Sequence, residues 1–565
     1  MIGVLVLGAR LALAASPSEE GIAPASAAIE TALVAELERT RELRLPEKMA
    51  PSLVLYDVLD GDVRNCFGED GGVVLETLER FRNLRAEVRV AEGGMDSSNF
   101  RAFGEPDGVV SRRLPVADDP YALRREVWLA TDAAYKHAVE QLSRKQAAVQ
   151  ELPEPLPPDW TATAPVVVPA TTHEGNAMGM AECREVVTRL TAGAPPSIEQ
   201  VQAVARDWHG WRAVVTSEGT RAWLPTGNVV VRVEATARRA DGTPVQDARW
   251  WVGKDRTSLP TLAEMEAEVA LMRARLAAVA AGPAPEPWLG PVLFEGPAAA
   301  ELFSQLLAAE IVGTPAELED GDSFLASTRG AMARLGRRLL PDGWRVHDDP
   351  STRTGRAGEY GYDHDLVAPR RVDLVVDGVL REVLMSRVPS KFRTASTGHG
   401  RSLGESRRGA IPGYVHVTPR RKLSEAALRR KALQMARQVG LDRVLVIERL
   451  RPPAMADRLD ITISGEGPPP GLTDPYEACL LDKTGACQPV RNLRFVGVDR
   501  RSLRDIVAAG PSPGPVDGLD GPPGPERFGI GPTGGVPVTW EVPSVLIAEM
   551  ELDPATGGEP RVLAP

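Results

Sequence analysis

Two proline-rich segments divide the chain and constrain its fold more than any other feature. Residues 151–158 read Glu-Leu-Pro-Glu-Pro-Leu-Pro-Pro, and residues 282–287 read Gly-Pro-Ala-Pro-Glu-Pro. Proline fixes φ and lacks an N–H donor, so such segments form stiff connections rather than helices or central strands. They predict three parts after a short leader: an N-terminal domain at 17–150, a middle region at 151–287 and a C-terminal domain at 288–565.

Helical patterns recur through the first two parts. Apolar residues repeat at helical spacing in segments 27–45, 121–151 and 262–280. Ser197 followed three residues later by Gln200 has the form of a capping box, which predicts a further helix starting at Ser197.

Strand patterns lie between these helices. Alternating apolar residues indicate strands at 52–58 and 86–90. Turn residues at 217–219 and at Asp241-Gly242 predict two hairpins in the middle region. The first two parts should therefore combine antiparallel sheets with long helices.

The C-terminal part is mostly strand-like. Segments 371–376 and 379–385 flank Asp377-Gly378, which predicts a hairpin with a type I′ turn. One helix is expected at 424–439, and the glycine- and proline-rich segment 511–535 is expected to be a long loop or disordered. The predicted fold class is α+β, with a mainly antiparallel β C-terminal domain.

Composition argues for a soluble protein and against a nucleic-acid partner. The 565 residues are 25% charged and 43% apolar, with a formal net charge of -11. Nucleic-acid binders usually carry a basic balance, so we read the basic run at 420–437 as a solvated helix face. No segment is long and apolar enough for a membrane helix.

The first sixteen residues resemble an export signal. They form a short apolar run, and Ala12-Leu13-Ala14 fits a signal-peptidase site. Arg10 interrupts the run and no basic residue precedes it, so a cytoplasmic protein with an apolar first strand is the alternative. We expect cleavage near residue 16 and a periplasmic or extracellular location.

Two of the four cysteines flank a predicted turn. Cys479 and Cys487 enclose a Lys-Thr-Gly turn between two short strand-like segments. A disulfide between them would suit an oxidising compartment, and two free thiols would suit a reducing one. The sequence leaves both open. No Cys-x-x-Cys pair appears, so a structural zinc site of that type has no support.

One order of motifs resembles the TldD/PmbA family of metallopeptidases. Segment 294–300 reads Phe-Glu-Gly-Pro-Ala-Ala-Ala where active members carry a His-Glu-x-x-x-His helix. The further matching segments are 85–100 with its Asn-Phe ending, 216–220 with Ser-Glu-Gly, 346–350 with Asp-Asp-Pro, 396–400 with Thr-Gly-His, and 543–547. The resemblance spans most of the chain, and it rests on the order and spacing of these motifs.

The resemblance implies α+β subunits that dimerise around a cavity. In catalytic subunits two histidines and a late cysteine hold the metal, and the glutamate activates its water. Here we place Phe294 and Ala298 at the histidine positions, and residues 512–565 contain no cysteine. The resemblance therefore implies the metal-free TldE or PmbA type, with zinc expected only in a metal-bearing partner.

Four residues are candidates for a non-standard catalytic site: Glu295, Asp348, Asp349 and His364. Asp363 and Asp365 flank His364, so hard ligands cluster there, and a replacement metal site would need these loops to converge. Structural roles are the alternative. Glu295 could be a helix N-terminal charge, and the aspartates before Pro350 could bond nearby backbone N–H groups.

Three hypotheses follow. The chain is a metal-free subunit that receives an unfolded peptide beside a TldD-like partner, or a peptidase with a non-standard site, or an exported homodimer with a structural or ligand-binding task. We expect no cofactor in this chain under the first hypothesis, and stoichiometric zinc in the purified protein would favour the second.

Overall fold

The structure is a computed structural model, and it describes residues 26–46, 48–101, 107–150, 156–170, 176–315, 317–319, 334–401, 408–451, 471–520 and 536–555. The leader proposed at 1–16 lies outside these residues. Long helices and extended sheets both occur, so the α+β prediction is confirmed. No helix in the described ranges is both long and apolar enough to cross a membrane.

The long helices begin at well-formed caps. Asp119 accepts a hydrogen bond from the Ala122 N–H at 2.8 Å, and Thr261 forms a capping box with Glu264. The helices are α1 (Ala27–Arg39), α2 (Pro120–Val149), α3 (Met180–Thr191), α4 (Leu262–Ala281), α5 (Pro297–Ile311) and α6 (Glu425–Gln438). Ser424 caps α6, as its sequence predicts.

One eight-stranded sheet spans both sides of the first proline-rich segment. Its strands are β1 (Pro51–Glu69), β2 (Gly72–Glu92), β3 (Met95–Asp96), β5 (Val109–Arg113), β6 (Val167–Val168), β7 (Gln200–Thr216), β8 (Arg221–Arg238) and β9 (Pro244–Gly253). The order is β3-β2-β1-β7-β8-β6, with β5 on β2 and β9 on β8. β1 pairs antiparallel with β2 and with β7, so the N-terminal and middle regions share this sheet.

Two pairs of helices cover this sheet. Residues of α1 and α2 pack on the β1–β2 end in one apolar cluster, and residues of α3 and α4 pack on β7 and β8 in another. A separate two-stranded pair joins β4 (Phe100–Arg101) to β11 (Leu318–Glu319) in parallel. It links this region to the C-terminal part.

One prediction for the middle region is wrong. Ser197 does not cap a helix, because Gln200 is the first residue of β7 and Val201, Ala203 and Ala205 alternate into the core. The two-residue period of these side chains outweighs the local capping pattern.

The C-terminal part contains two larger sheets and a short pair. The seven-stranded sheet contains β10 (Trp288–Phe294), β18 (Val444–Leu450), β19 (Pro475–Leu481), β20 (Cys487–Val490), β21 (Leu493–Val496), β22 (Ile506–Ala509) and β25 (Val545–Pro554). The six-stranded sheet contains β12 (Arg345–Asp348), β13 (Val372–Val376), β14 (Val379–Leu380), β17 (Tyr414–Thr418), β23 (Pro515–Asp520) and β24 (Val536–Glu541). β15 (Gly400–Arg401) pairs with β16 (Gly409–Ala410).

Helix α5 lies in the apolar core that the two larger sheets share, and α6 packs on the seven-stranded sheet in a second cluster. Most pairings are antiparallel, but β10 pairs parallel with β18, and β17 with β24. The parallel β10–β18 pair matters for the site, because α5 follows β10 directly.

Local predictions in the C-terminal part are mostly confirmed. Asp377 and Gly378 both have positive φ, 54° and 75°, and they join β13 to β14 as a type I′ turn requires. Of the two states that the sequence leaves open for Cys479 and Cys487, the structure contains the disulfide, across the β19–β20 hairpin. The expected loop at 511–535 is wrong in part, because residues 515–520 form β23; residues 521–535 lie outside the described structure.

Candidate functional site

The stretch that would carry the metal motif is a junction between a strand and a helix. Phe294 is the last residue of β10, where it pairs with Ile447 and Val545. Gly296 turns the chain with φ 57° and ψ −139°, a conformation that suits glycine, and Pro297 is the first residue of α5. The helix expected over the whole stretch therefore begins three residues later than Phe294.

The side chains at the histidine positions belong to the core. Phe294 is fully buried, and its ring stacks on Phe495 with centroids 6.2 Å apart. Three residues separate the glutamate from the second histidine of the motif, which puts that position at Ala299 rather than at Ala298; both alanines are fully buried. None of these side chains can bind a metal, so the residues present do not fit zinc.

Glu295 is engaged by an arginine. Its two carboxylate oxygens accept bonds from Arg429 Nε at 3.0 Å and Nη2 at 2.7 Å, and its side chain is 11% exposed. The Glu295 N–H donates to the Ile447 carbonyl at 2.9 Å. A bidentate guanidinium partner holds the carboxylate in a fixed orientation, so Glu295 links α6 to the start of α5.

Glu295 also lines a cleft of about 500 Å³ between the C-terminal part and α4. Apolar wall residues include Pro297 and Leu271, whose side chain is 51% exposed. The charged residues of the wall are Glu268, Glu295, Glu425, Glu448, Glu477, Arg249, Arg275 and Arg449. Five carboxylates therefore face three guanidinium groups, and we call this site the α5 cleft.

The carboxylates of the α5 cleft differ in the number of ion pairs that they form. Glu477 pairs with Arg275, with Arg249 at 2.9 Å and with Arg449 at 3.6 Å. Among the described residues, Glu448 pairs only with Arg275, at 2.6 Å. Burial, and then the neighbouring Glu477, raise the pKa of Glu448. Its surroundings therefore neutralise Glu448 less than Glu477.

A second carboxylate with a raised pKa lies one turn into α5. Glu301 accepts a hydrogen bond from the Leu450 N–H at the end of β18. Burial raises the pKa of Glu301 to about 8, and the nearby Arg449 opposes this only in part. Glu301 is therefore mostly protonated at neutral pH.

The other candidates, Asp348, Asp349 and His364, do not join Glu295. Asp348 is fully buried and accepts bonds from His399 Nε2 at 3.2 Å and from the Gly413 and Tyr414 N–H groups at 2.9 and 3.2 Å. It therefore holds two loops together, which is a structural role.

Asp349 caps its own turn. Its carboxylate accepts from Ser351 N–H at 3.2 Å and Ser351 Oγ at 2.5 Å, and its side chain stays at the surface. This is the local bonding expected of an aspartate before proline.

His364 lies at the seam between the first sheet and the C-terminal part, which we call the His364 seam. Its pKa falls well below the usual value because of burial, and because Arg212, Arg401 and Arg408 are near. Arg408 bonds Asp365 at 3.2 Å and Asp57 at 2.7 Å. Guanidinium groups on several sides make this a poor place for a cation.

The described residues contain no group of three or more His, Cys, Asp or Glu side chains placed to hold a metal. The four candidates contact different partners, in the α5 cleft, at the Asp348 and Asp349 turns and at the His364 seam. The structure therefore brings Glu295 alone to a cleft large enough for a ligand.

Comparison with known proteins identifies the family. Residues 289–465 match the family model described as PmbA/TldA metallopeptidase C-terminal domain. This part of the chain is a C-terminal domain of the TldD/PmbA type. The match begins in β10 and contains the motif stretch, Asp348 and His364. It also contains α5, α6 and β18. No curated protein sequence matches the chain.

Three solved structures share the fold over almost the whole length. TldE from Thermococcus kodakarensis is 12% identical, with a TM-score of 0.58 over 92% of this chain and 100% of that one. A protein described as a candidate modulator of a DNA gyrase from Thermotoga maritima is 14% identical, with a TM-score of 0.56 over 93% and 99%. Another, from Bacteroides thetaiotaomicron, is 10% identical, with a TM-score of 0.56 over 93% and 98%. At these identities the likeness concerns the fold.

Sequence reasoning missed most of the α5 cleft. Its charged residues come from α4, β9, β18, β19 and the start of α6, which are far apart in the chain. Glu448-Arg449 within an apolar strand pattern was the one available signal, because charged residues in a buried strand need partners. The partners themselves cannot be identified without the sheet order.

Proposed function

We propose that this TldD/PmbA family member is a metal-free subunit of a peptidase-like assembly, and that its task is to hold peptide rather than to cut it. One observation carries the proposal. At the motif stretch the buried Phe294 stacks on Phe495, and Arg429 engages both oxygens of Glu295. A site of this kind has neither metal ligands nor a free carboxylate to activate water.

The α5 cleft supports the peptide part of this proposal. Its volume of about 500 Å³ lies in the range of sites that enclose small ligands, and it would admit a few residues of an extended chain. Its wall combines apolar and charged side chains, which suits a peptide better than a purely apolar ligand.

An exposed apolar tip on the β1–β2 hairpin supports the proposal of a partner subunit. Val73, Val74 and Leu75 follow the turn between β1 and β2 and are 40%, 57% and 42% exposed. Three consecutive exposed apolar residues at the end of a hairpin are unusual on a monomer's surface. We propose that this tip contributes to a dimer interface, either with a TldD-like subunit or with a second copy.

The disulfide supports export. Cys479 and Cys487 are bonded in the β19–β20 hairpin, and disulfides persist in oxidising compartments. Together with the signal-like first sixteen residues, this favours a periplasmic or extracellular protein over a cytoplasmic one.

Co-expression with a subunit that carries the His-Glu-x-x-x-His motif tests the proposal. We expect a stable complex that cleaves a fluorogenic unstructured peptide, and no cleavage by this chain alone. E295A should leave the complex able to cleave the peptide, because Glu295 is not the group that activates water. Cleavage by the purified chain alone, abolished by E295A, would contradict the proposal.

The interface is tested with two valines of equal exposure. Val74 on the hairpin tip and Val439 after α6 are each 57% exposed. V74E should weaken assembly at least tenfold in analytical ultracentrifugation, whereas V439E should not change it. Equal behaviour of the two variants would remove the hairpin tip from the interface.

A further inference from the structure

The wall of the α5 cleft carries more negative than positive charge. Its wall carries five glutamates and three arginines, and the Arg429 guanidinium behind Glu295 reduces the excess without removing it. Glu477 lies deepest, at 5% exposure, and three arginines surround it. The negative charge that remains is therefore concentrated away from Glu477, nearer the open side.

Glu448 is a partly buried carboxylate placed to receive a ligand's positive charge. Its side chain is 28% exposed and lines the cleft, and its one arginine, Arg275, is shared with Glu477. Burial and the neighbouring Glu477 raise the pKa of Glu448. A ligand's cation beside Glu448 would lower this pKa again, because it would stabilise the ionised carboxylate.

An apolar strip runs beside these carboxylates. Leu271 is 51% exposed on α4, one turn from Glu268 and one turn from Arg275 on the same helix face. Pro297 and Pro513 also line the cleft. A ligand that contacts both the strip and Glu448 must combine an aliphatic stem with a charged head.

We infer that the α5 cleft selects peptides with a lysine or arginine side chain, whose aliphatic stem packs on Leu271 and whose cationic head pairs with Glu448. This rests on the proposed peptide-holding function and adds the class of peptide. Lysine and arginine are the side chains that bury a stem while keeping a charged head at a polar boundary. An acidic side chain would meet the carboxylate excess and be repelled.

Three fluorescently labelled pentapeptides test the inference on the isolated full chain. The central residue is lysine, norleucine or glutamate, and both ends are blocked. Norleucine keeps the aliphatic stem and lacks the ammonium group. We expect the lysine peptide to bind about tenfold more tightly than the norleucine peptide at low salt, with the difference shrinking as salt rises, and the glutamate peptide to bind most weakly.

Variants separate the two contacts. E448Q should reduce affinity for the lysine peptide about tenfold and leave the norleucine peptide unchanged, whereas L271S should weaken both. E140Q, at an exposed position of α2, is the matched control and should change neither. Should E448Q fail to fold, the comparison of lysine with norleucine on the unaltered chain remains decisive.

The outcomes distinguish this inference from the proposal on which it rests. Equal binding of lysine and norleucine peptides would overturn the charge selection and leave peptide holding intact. Binding of none of the three would overturn both. A loss of lysine affinity in E448Q that norleucine shares equally would show that Glu448 shapes the cleft without pairing with the ligand.

Discussion

The α5 cleft and the His364 seam are both rich in charge, but they use it differently. At the seam, Asp57 is 3% exposed and forms ion pairs with Arg212 and, at 2.7 Å, with Arg408. Each buried charge there lies against a charge of opposite sign. In the cleft, Glu448 stays 28% exposed with one shared arginine. Matched, enclosed charges fix the packing of two parts of a protein, whereas mismatched charges facing a cavity can serve a ligand.

The pKa shifts separate the two regions in the same way. Burial works against the ionised Asp57, yet Arg212 and Arg408 hold its pKa below the ordinary value. For Glu301 beside the cleft, burial prevails and raises the pKa to about 8. The sign of the shift therefore reports whether the surroundings neutralise a carboxylate or merely desolvate it.

The largest loss of stability is expected from a substitution at the His364 seam. D57A leaves two buried guanidinium groups without this partner, which should cost about 3–5 kcal/mol of unfolding free energy, measured with urea. D132A removes an exposed partner of Lys136 and should cost less than about 0.5 kcal/mol. A loss for D57A no larger than that for D132A would mean that the seam's ion pairs do not hold the two parts together.

The pH dependence of stability should have opposite signs in the two regions. Glu301 has a folded-state pKa of about 8, above the unfolded value, so the folded protein binds its proton more strongly. The stability that the protonated Glu301 contributes is fully present below about pH 4.3 and is lost as pH rises toward 8. The free energy of unfolding then falls by at most about 1.4 kcal/mol per pH unit. Asp57, with a lowered pKa, loses its contribution only as pH falls below about 4.

E301Q checks this sign. The variant should gain unfolding free energy relative to the unaltered chain as pH rises from 5 to 8, because the amide has no proton to lose. Chemical denaturation at three pH values measures the difference. A constant difference across that range would show that Glu301 is ionised throughout.

A smaller effect is expected at the rim of the cleft. Glu295 is 11% exposed and Arg429 is 40% exposed, so their pair is partly screened by solvent. E295Q and R429Q should each cost about 1 kcal/mol, with a coupling energy of about 0.5–1 kcal/mol in the double-mutant cycle. Strict additivity would mean that the bidentate contact contributes nothing to stability.

The sequence predicts the elements of this fold better than their extent or partners. Helix α6 follows from Ser424 and its apolar spacing, and the hairpin at Asp377-Gly378 follows from a turn that needs positive φ at both residues. These signals are local. The predicted strand at 52–58 extends to Pro51–Glu69, because pairing with β2 and β7 supports residues whose own pattern is not strand-like.

The candidate site was predictable only at Glu295. The absence of histidines at the motif stretch could be read directly, since it concerns residue types. The engagement of Glu295 by Arg429 joins residues 134 positions apart, and Glu448, Arg275 and Leu271 reach the cleft only through the sheet order and the placement of α4. Such pairings depend on long-range packing, which the periodicity of a single segment does not predict.

The central claim, that the motif stretch cannot hold a catalytic metal, is tested most directly by zinc content. The purified chain is dialysed to equilibrium against micromolar zinc and analysed for bound metal, with E295A treated in parallel. We expect well below one zinc per chain, and the same value for both proteins. One zinc per chain that E295A abolishes would contradict the account.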